Sequence, residues 1–156
     1  MANYQRILLA LDQSEQAGQV FATALGLAQS HGASLRLLHC LTLPLPTELE
    51  FGDRYRRDPK TFLDIAQQQL SDTQEQTRQW LSALEAQAQA VGVETTWDWQ
   101  GGDAGPQICQ VAADWPADLV VVGRRGRRGL KAALLGSVSN YVVHHAPASV
   151  LVVQGE

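Results

Sequence analysis

Cysteine is scarce in this sequence: Cys40 and Cys109 are the only two in 156 residues, and nothing between them has metal-ligand spacing. Two such thiols make neither a disulfide framework nor a structural zinc site. The fold must rest on its apolar core, and a chain of this length buries roughly 70% of its unfolded surface without covalent help. Long apolar runs are missing as well, and none approaches the ~20 residues of a membrane span. Met1–Arg6 shows no basic stretch leading into an apolar one, so it does not read as a secretory signal. A reducing, cytoplasmic location is the expectation, with no membrane partner. Nor is there an excess of positive charge. The net charge is −4, which argues against a general nucleic-acid binder. Hydrophobic residues at 45% and charged residues at 18% are the proportions of a globular chain. One domain over residues 1–156 is expected.

Against that acidic balance, five of the twelve lysines and arginines fall between Arg124 and Lys131. They follow a buried apolar strand, Leu119-Val120-Val121-Val122, and are interleaved with Gly123, Gly126 and Gly129. The stretch ends in Gly136-Ser137-Val138-Ser139, which reads as a helix start. Strand, glycine-rich basic loop and helix N-terminus together make an anion site, most simply a phosphate site. Glycines let backbone N–H groups approach phosphate oxygens, and Ser137 and Ser139 offer hydroxyl donors. The spacing is neither G-x-G-x-x-G nor G-x-x-x-x-G-K-[ST], so neither the dinucleotide fingerprint nor the P-loop is present. A solvent-exposed basic turn between two elements is the plainer reading of the same residues.

The rest of the chain alternates strands and helices. Gln5–Leu11 reads as a buried strand ending in Asp12-Gln13-Ser14. Ser14 is the expected N-cap of a helix to about Ser30, with Ala17, Val20, Ala24, Leu27 and His31 on one face and Gly32 as its stop. Ser34–Leu41 is a second strand, parallel to the first. Leu43–Pro59 reads as a proline-rich loop. Over Thr61–Val91, the residues Leu63, Ala66, Leu70, Thr73, Thr77, Trp80, Leu84 and Val91 recur at steps of three and four. That is an amphipathic helix laid on a sheet, although the spacing also admits a coiled coil. Val93–Trp99 is a third strand with Val93, Thr95, Trp97 and Trp99 on one face. A helix opened by Gly105-Pro106 turns Ile108, Val111 and Ala112 inward. Asp118–Val122, a helix over Ser137–His145 and a strand over Ser149–Val153 complete the series. The expected fold is α/β: an open five-stranded parallel sheet with helices on both faces, Rossmann-like. Ligands of such sheets lie beyond the carboxyl ends of the strands, where strand order reverses. Asp12, Cys40 and Gly123 all stand at such ends.

The pattern Gly123-x2-Gly126-x9-Gly136-Ser137 resembles the nucleotide-binding signature G-x2-G-x9-G-[ST] of the universal stress protein family. Further marks are a first strand ending in Asp12 and Ser14, Leu-Leu-His39 in the second strand, Gly102-x3-Pro106, and a terminal Ala146-Pro147-x2-Val150-Leu151-Val152-Val153. The resemblance implies an adenine nucleotide alpha hydrolase-like α/β domain that forms homodimers, in the branch of the family that binds ATP. It puts the ribose or adenine end of the nucleotide on Asp12 and adenine on the Cys40 backbone. It puts the triphosphate, usually with Mg²⁺ or Mn²⁺, on Gly123, Gly126, Gly136, Ser137, Val138 and Ser139. Arg124 adds its charge to that anion site. Arg124-Arg125 and Arg127-Arg128 depart from the family pattern, which often has one basic residue and small polar ones there, and they bear on which nucleotide is preferred.

Taken without the resemblance, Asp12 either accepts from ribose hydroxyls or caps the following helix. His39, inside an apolar strand, reads as a satisfied core histidine. His144 and His145 suit a helix C-terminus. Cys109, Trp80, Trp97 and Trp99 read as packing. No Ser–His–Asp set and no clear general base stand near the glycine loop. The leading expectation is an ATP-binding stress-response protein that dimerises through Ser149–Val153, an apolar strand that would otherwise leave an open edge. A dimeric interaction or chaperone-like protein without nucleotide, and a slow ATPase, are the alternatives.

Overall fold

The computed structural model describes residues 3–41, 58–124 and 135–155. Apolar runs bounded by glycine, proline or aspartate form five strands: β1 (Arg6–Leu11), β2 (Ser34–Leu41), β3 (Thr95–Gly101), β4 (Leu119–Gly123) and β5 (Ser149–Val153). Between them stand α1 (Ala17–His31), α2 (Pro59–Ala90), α3 (Ala104–Asp114) and α4 (Ser137–His145). The strands form one sheet in the order β3-β2-β1-β4-β5. Every pairing is parallel. The expected α/β architecture, with an open five-stranded parallel sheet, is therefore what the chain adopts.

Both faces of the sheet are covered, so the central strands read as unbroken apolar runs. In β1, Ile7, Leu8 and Leu9 are fully buried. Ile7, Leu9, Leu37 and Val121 pack with α1 and α2 on one face, through Val20, Phe21, Ala24 and Leu81. Leu8, Leu38, Val120 and Val122 pack with α3 and α4 on the other, through Ile108, Ala112 and Val142. Gly105 makes the α3–α4 contact possible. A Cβ there would come within 2.8 Å of the Tyr141 ring.

Two local expectations are corrected. Ser14 does not cap α1. Its N–H is taken by Asp12 Oδ1 at 3.1 Å, and its carbonyl accepts from Ala17 N–H at 3.1 Å. This turn delays the helix, and Gln16 occupies the cap position without a side-chain cap bond. The buried face of α1 is then Val20, Phe21, Ala24 and Ala28, with Leu27 and His31 at its margin.

The second correction concerns α2, which packs over only its C-terminal part. Thr77, Leu81 and Ala88 are its buried residues, while Leu63 and Ile65 near its start are 56% and 41% exposed; Val91, expected on the buried stripe, is the exposed C-cap. The cause is length. A helix of 32 residues spans about 48 Å, whereas the eight-residue β2 spans about 26 Å. The N-terminal turns therefore overhang the sheet. Asp58 starts the helix by accepting from Thr61 N–H at 3.3 Å, followed by proline at its first position.

The sheet's two edges differ. β3 carries Asp98, whose carboxylate accepts from Trp99 N–H at 2.8 Å and from the Gln100 side chain at 3.2 Å. β5, Ser-Val-Leu-Val-Val, carries no charge at all.

Candidate functional site

The chain crosses from β1 to β2 on one side and from β4 to β5 on the other. Strand order therefore reverses between β1 and β4, which opens a crevice beyond their carboxyl ends. A cavity of about 330 Å³ occupies this crevice, near the lower end of the range for small-molecule sites. Its floor is apolar, made by Ala10, Leu38, Ile108 and Val122. Three helix N-termini reach it, at Ala17 of α1, Ala104 of α3 and Ser137 of α4. Each brings partial positive charge from unshared backbone N–H groups.

The α4 end is the best formed of the three. Gly136 holds the cap position with extended backbone, φ −63° and ψ 161°. Its own N–H donates to the Arg124 carbonyl at 2.8 Å. Asn140 N–H makes the first bond into the helix, to the Gly136 carbonyl at 2.9 Å. The N–H groups of Ser137, Val138 and Ser139 are left without an intrahelical acceptor. The two serines differ in role. Ser139 is buried, and its hydroxyl donates to the carbonyls of Arg124 at 2.9 Å and Gly136 at 3.1 Å. The expectation that both hydroxyls are open to a ligand is thus corrected: that of Ser139 is committed to the protein, while Ser137 is exposed on the cavity wall.

Asp12, Cys40, Gly123, Gly136, Ser137, Val138 and Ser139 all line this cavity. Asp12 spends Oδ1 on the Ser14 N–H, and Oδ2 has no hydrogen bond among the described residues. Burial pushes the Cys40 thiol up to about 11, with the Asp103 carboxylate adding to the effect, so it stays a neutral thiol near pH 7. Arg124 is placed beside the cavity. Its N–H donates to the Val153 carbonyl at 2.9 Å and its guanidinium lies 3.4 Å from Gln154 Oε1. Gly126 lies outside the described residues, as do Arg125, Arg127 and Arg128. The sequence reading did not single out Gln16, Ala17, Ala104 or Ile108 as site residues. The last three could have been found from the strand-end topology alone, whereas nothing in the sequence marks Gln16.

The histidines are engaged elsewhere. His39 is buried, with Nδ1 2.8 Å from the Leu11 carbonyl and its ring edge-on to Trp80 at 5.2 Å. His144 and His145 set Nδ1 2.8 and 2.9 Å from the carbonyls of Asn140 and Tyr141, four residues back on the last turns of α4.

The universal stress protein family model matches residues 3–154. The chain belongs to the universal stress protein family. Among curated relatives, the universal stress protein Sll1388 of Synechocystis is 39% identical over 151 residues, covering 97% of this chain and 98% of the relative. Among solved structures, the hypothetical protein MJ0577 superposes with a TM-score of 0.79 at 22% identity, covering 99% of both chains. At that identity the likeness is one of fold. Two universal stress protein structures share it as well. One, in complex with cAMP, has a TM-score of 0.64 at 21% identity over 98% of both chains. The other, from Archaeoglobus fulgidus in complex with dAMP, has a TM-score of 0.57 at 20% identity over 97% of this chain and 98% of that one. Among the described residues, no helix is long and apolar enough to cross a membrane.

Proposed function

We propose that this universal stress protein binds an adenine nucleotide, with ATP as the leading candidate, in the crevice between β1 and β4. The observation that carries the proposal is the convergence of Asp12, Cys40, Gly123 and the Gly136–Ser139 turn on one cavity with an apolar floor and three helix N-termini. Acceptors at Asp12 suit a sugar, the apolar floor suits a base, and free N–H groups suit phosphates. Relatives of the same fold in complex with cAMP and dAMP support the adenine assignment. Among the described residues, no group of three or more His, Cys, Asp or Glu could hold a metal. Any Mg²⁺ or Mn²⁺ would be held through the phosphates, with the exposed Ser137 hydroxyl as an oxygen donor on that wall. In this reading the bound nucleotide serves regulation in a cytoplasmic stress response, through a single domain spanning the chain.

Calorimetry of ATP with Mg²⁺ against ligand-stripped protein tests the proposal. Saturable binding is expected, and Gly136→Val, a bulky residue at the cap of the turn that presents the N–H groups, should abolish it, with circular dichroism checking that the fold is retained. No heat at millimolar ATP would sink the proposal.

The uncharged β5 edge favours a second element of the reading, a homodimer formed by pairing this strand with that of another copy. Sedimentation at tens of micromolar (on the order of a working concentration) should give twice the chain mass. A monomer there would overturn the dimer and leave the nucleotide proposal standing.

A further inference from the structure

The opposite rim of the sheet, at the amino ends of β1, β2 and β3, holds a second cavity of about 500 Å³ that shares no lining residue with the crevice. The six residues of β1, about 20 Å, separate the two. Two arginines line it. Arg6 starts β1, and Arg36 of β2 is in register with Leu8, two residues further along. Both side chains therefore leave the sheet on the face that α3 covers. They converge on the segment that follows α3. Arg6 Nε donates to the Pro116 carbonyl at 3.1 Å, and the Arg36 guanidinium carbon stands 5.0 Å from the centre of the Trp115 ring, at cation–π distance. Arg36 Nε also donates to Thr96 Oγ1, its partner across the strand, at 3.4 Å.

These hydrogen bonds use only the Nε of each fork. Among the described residues, the Nη groups of both arginines have neither a hydrogen-bond acceptor nor a carboxylate partner. The carboxylates at this rim are engaged elsewhere. Glu94, on the cavity wall, accepts from the Ser34 hydroxyl at 2.8 Å. Asp118 accepts from the backbone N–H groups of Gln5 and Arg6 at 2.8 and 3.2 Å. A cation near a helix C-terminus ordinarily serves the carbonyls there, but that role occupies one nitrogen of Arg6 and leaves its Nη groups over. Nor are the Nη groups closed off. Arg6 is exposed, and no nitrogen of the half-buried Arg36 is both sealed from solvent and unpaired.

We infer that this cleft is a second ligand site, which takes a small oxyanion, a carboxylate or a phosphate monoester, on the Nη groups of Arg6 and Arg36. Guanidinium forks match both anions through paired N–H donors. The Glu94 carboxylate on the same wall disfavours an extended polyanion. The site does not depend on the nucleotide reading.

Nitrogen-15 NMR of the full chain tests it, following Nε–H of Arg6 and Arg36 and the Trp115 indole N–H. Inorganic phosphate and succinate are the probes, each at constant ionic strength against sodium chloride. At least one should shift these signals saturably, with a dissociation constant on the order of 1 mM. Response to phosphate alone assigns a phosphate monoester, and response to succinate alone a carboxylate. Arg6→Gln removes one fork, and Arg36→Lys keeps the charge without the fork. Each should weaken binding about tenfold, the factor one charge-assisted hydrogen bond is worth, while the ATP titration stays that of the wild type. The inference is overturned if neither probe shifts these signals by about 20 mM. It is overturned equally if chloride reproduces the shifts, if they are confined to the Gly136–Ser139 turn, or if both variants bind as the wild type does. The nucleotide proposal survives each of these results.

Discussion

Replacing Ser139 with alanine removes a hydroxyl that is 2% exposed and donates to two carbonyls, those of Arg124 and Gly136. Each carbonyl keeps another donor, Gly136 N–H for Arg124 and Asn140 N–H for Gly136. No orphaned acceptor results, so the loss is that of a shared hydrogen bond, about 1 kcal/mol. For a chain of this size that corresponds to a thermal midpoint lower by about 3 °C. Ser137→Ala removes an exposed hydroxyl with no hydrogen bond among the described residues, and its expected change in stability lies within about 0.5 kcal/mol. The order inverts for binding, where Ser137→Ala weakens ATP directly. Differential scanning calorimetry of the ligand-free proteins reads the first effect, and titration with ATP the second. An unchanged midpoint for Ser139→Ala, or an equal drop for Ser137→Ala, would refute the division of roles.

Other expectations follow from the packing and charges. Gly105→Ala drives a methyl group into the Tyr141 ring and should lower the urea-derived stability by about 1–3 kcal/mol. Tyr141→Leu in the same chain should recover part of that loss. The Cys40 thiol is raised from near 9 to about 11, so the unfolded chain gives up this proton at lower pH than the folded one. Its contribution is full below pH 9 and declines as pH rises from about 9 to about 11. Denaturation across that range should show a downward slope that Cys40→Ser reduces. Leu151→Lys, a charge on the open edge strand, should reduce self-association in sedimentation while leaving ATP titration unaltered.

Much of the fold was legible because its punctuation is strong. Ser34–Leu41, Ser137–His145 and Ser149–Val153 were bounded correctly from the sequence, each being an apolar stretch set off by glycine or proline. The site was legible to the extent that topology alone implies it: Asp12, Cys40 and Gly123 each end a strand, and parallel strands bring such ends to one rim. What escaped the sequence depends on distances between elements. Asp12 takes the Ser14 N–H and the Ser14 carbonyl, not its hydroxyl, takes the Ala17 N–H, and residue preference does not say that such a turn displaces the cap. The heptad-like stripe of α2 runs past the sheet, and periodicity does not reveal where a partner stops. Ser137 and Ser139 look equivalent two residues apart, yet helix geometry turns one to the cavity and the other to the Arg124 carbonyl.

That carbonyl has a consequence for how the protein can change. Gly136 N–H and the Ser139 hydroxyl both meet it, so the end of β4 and the start of α4 are tied together at a single neck. In sequence, residues 125–134, with three arginines and a lysine, fall between the two sides of that neck. On the proposed nucleotide reading, exchanging those residues would alter anion preference while the bonds to the Arg124 carbonyl stay in place.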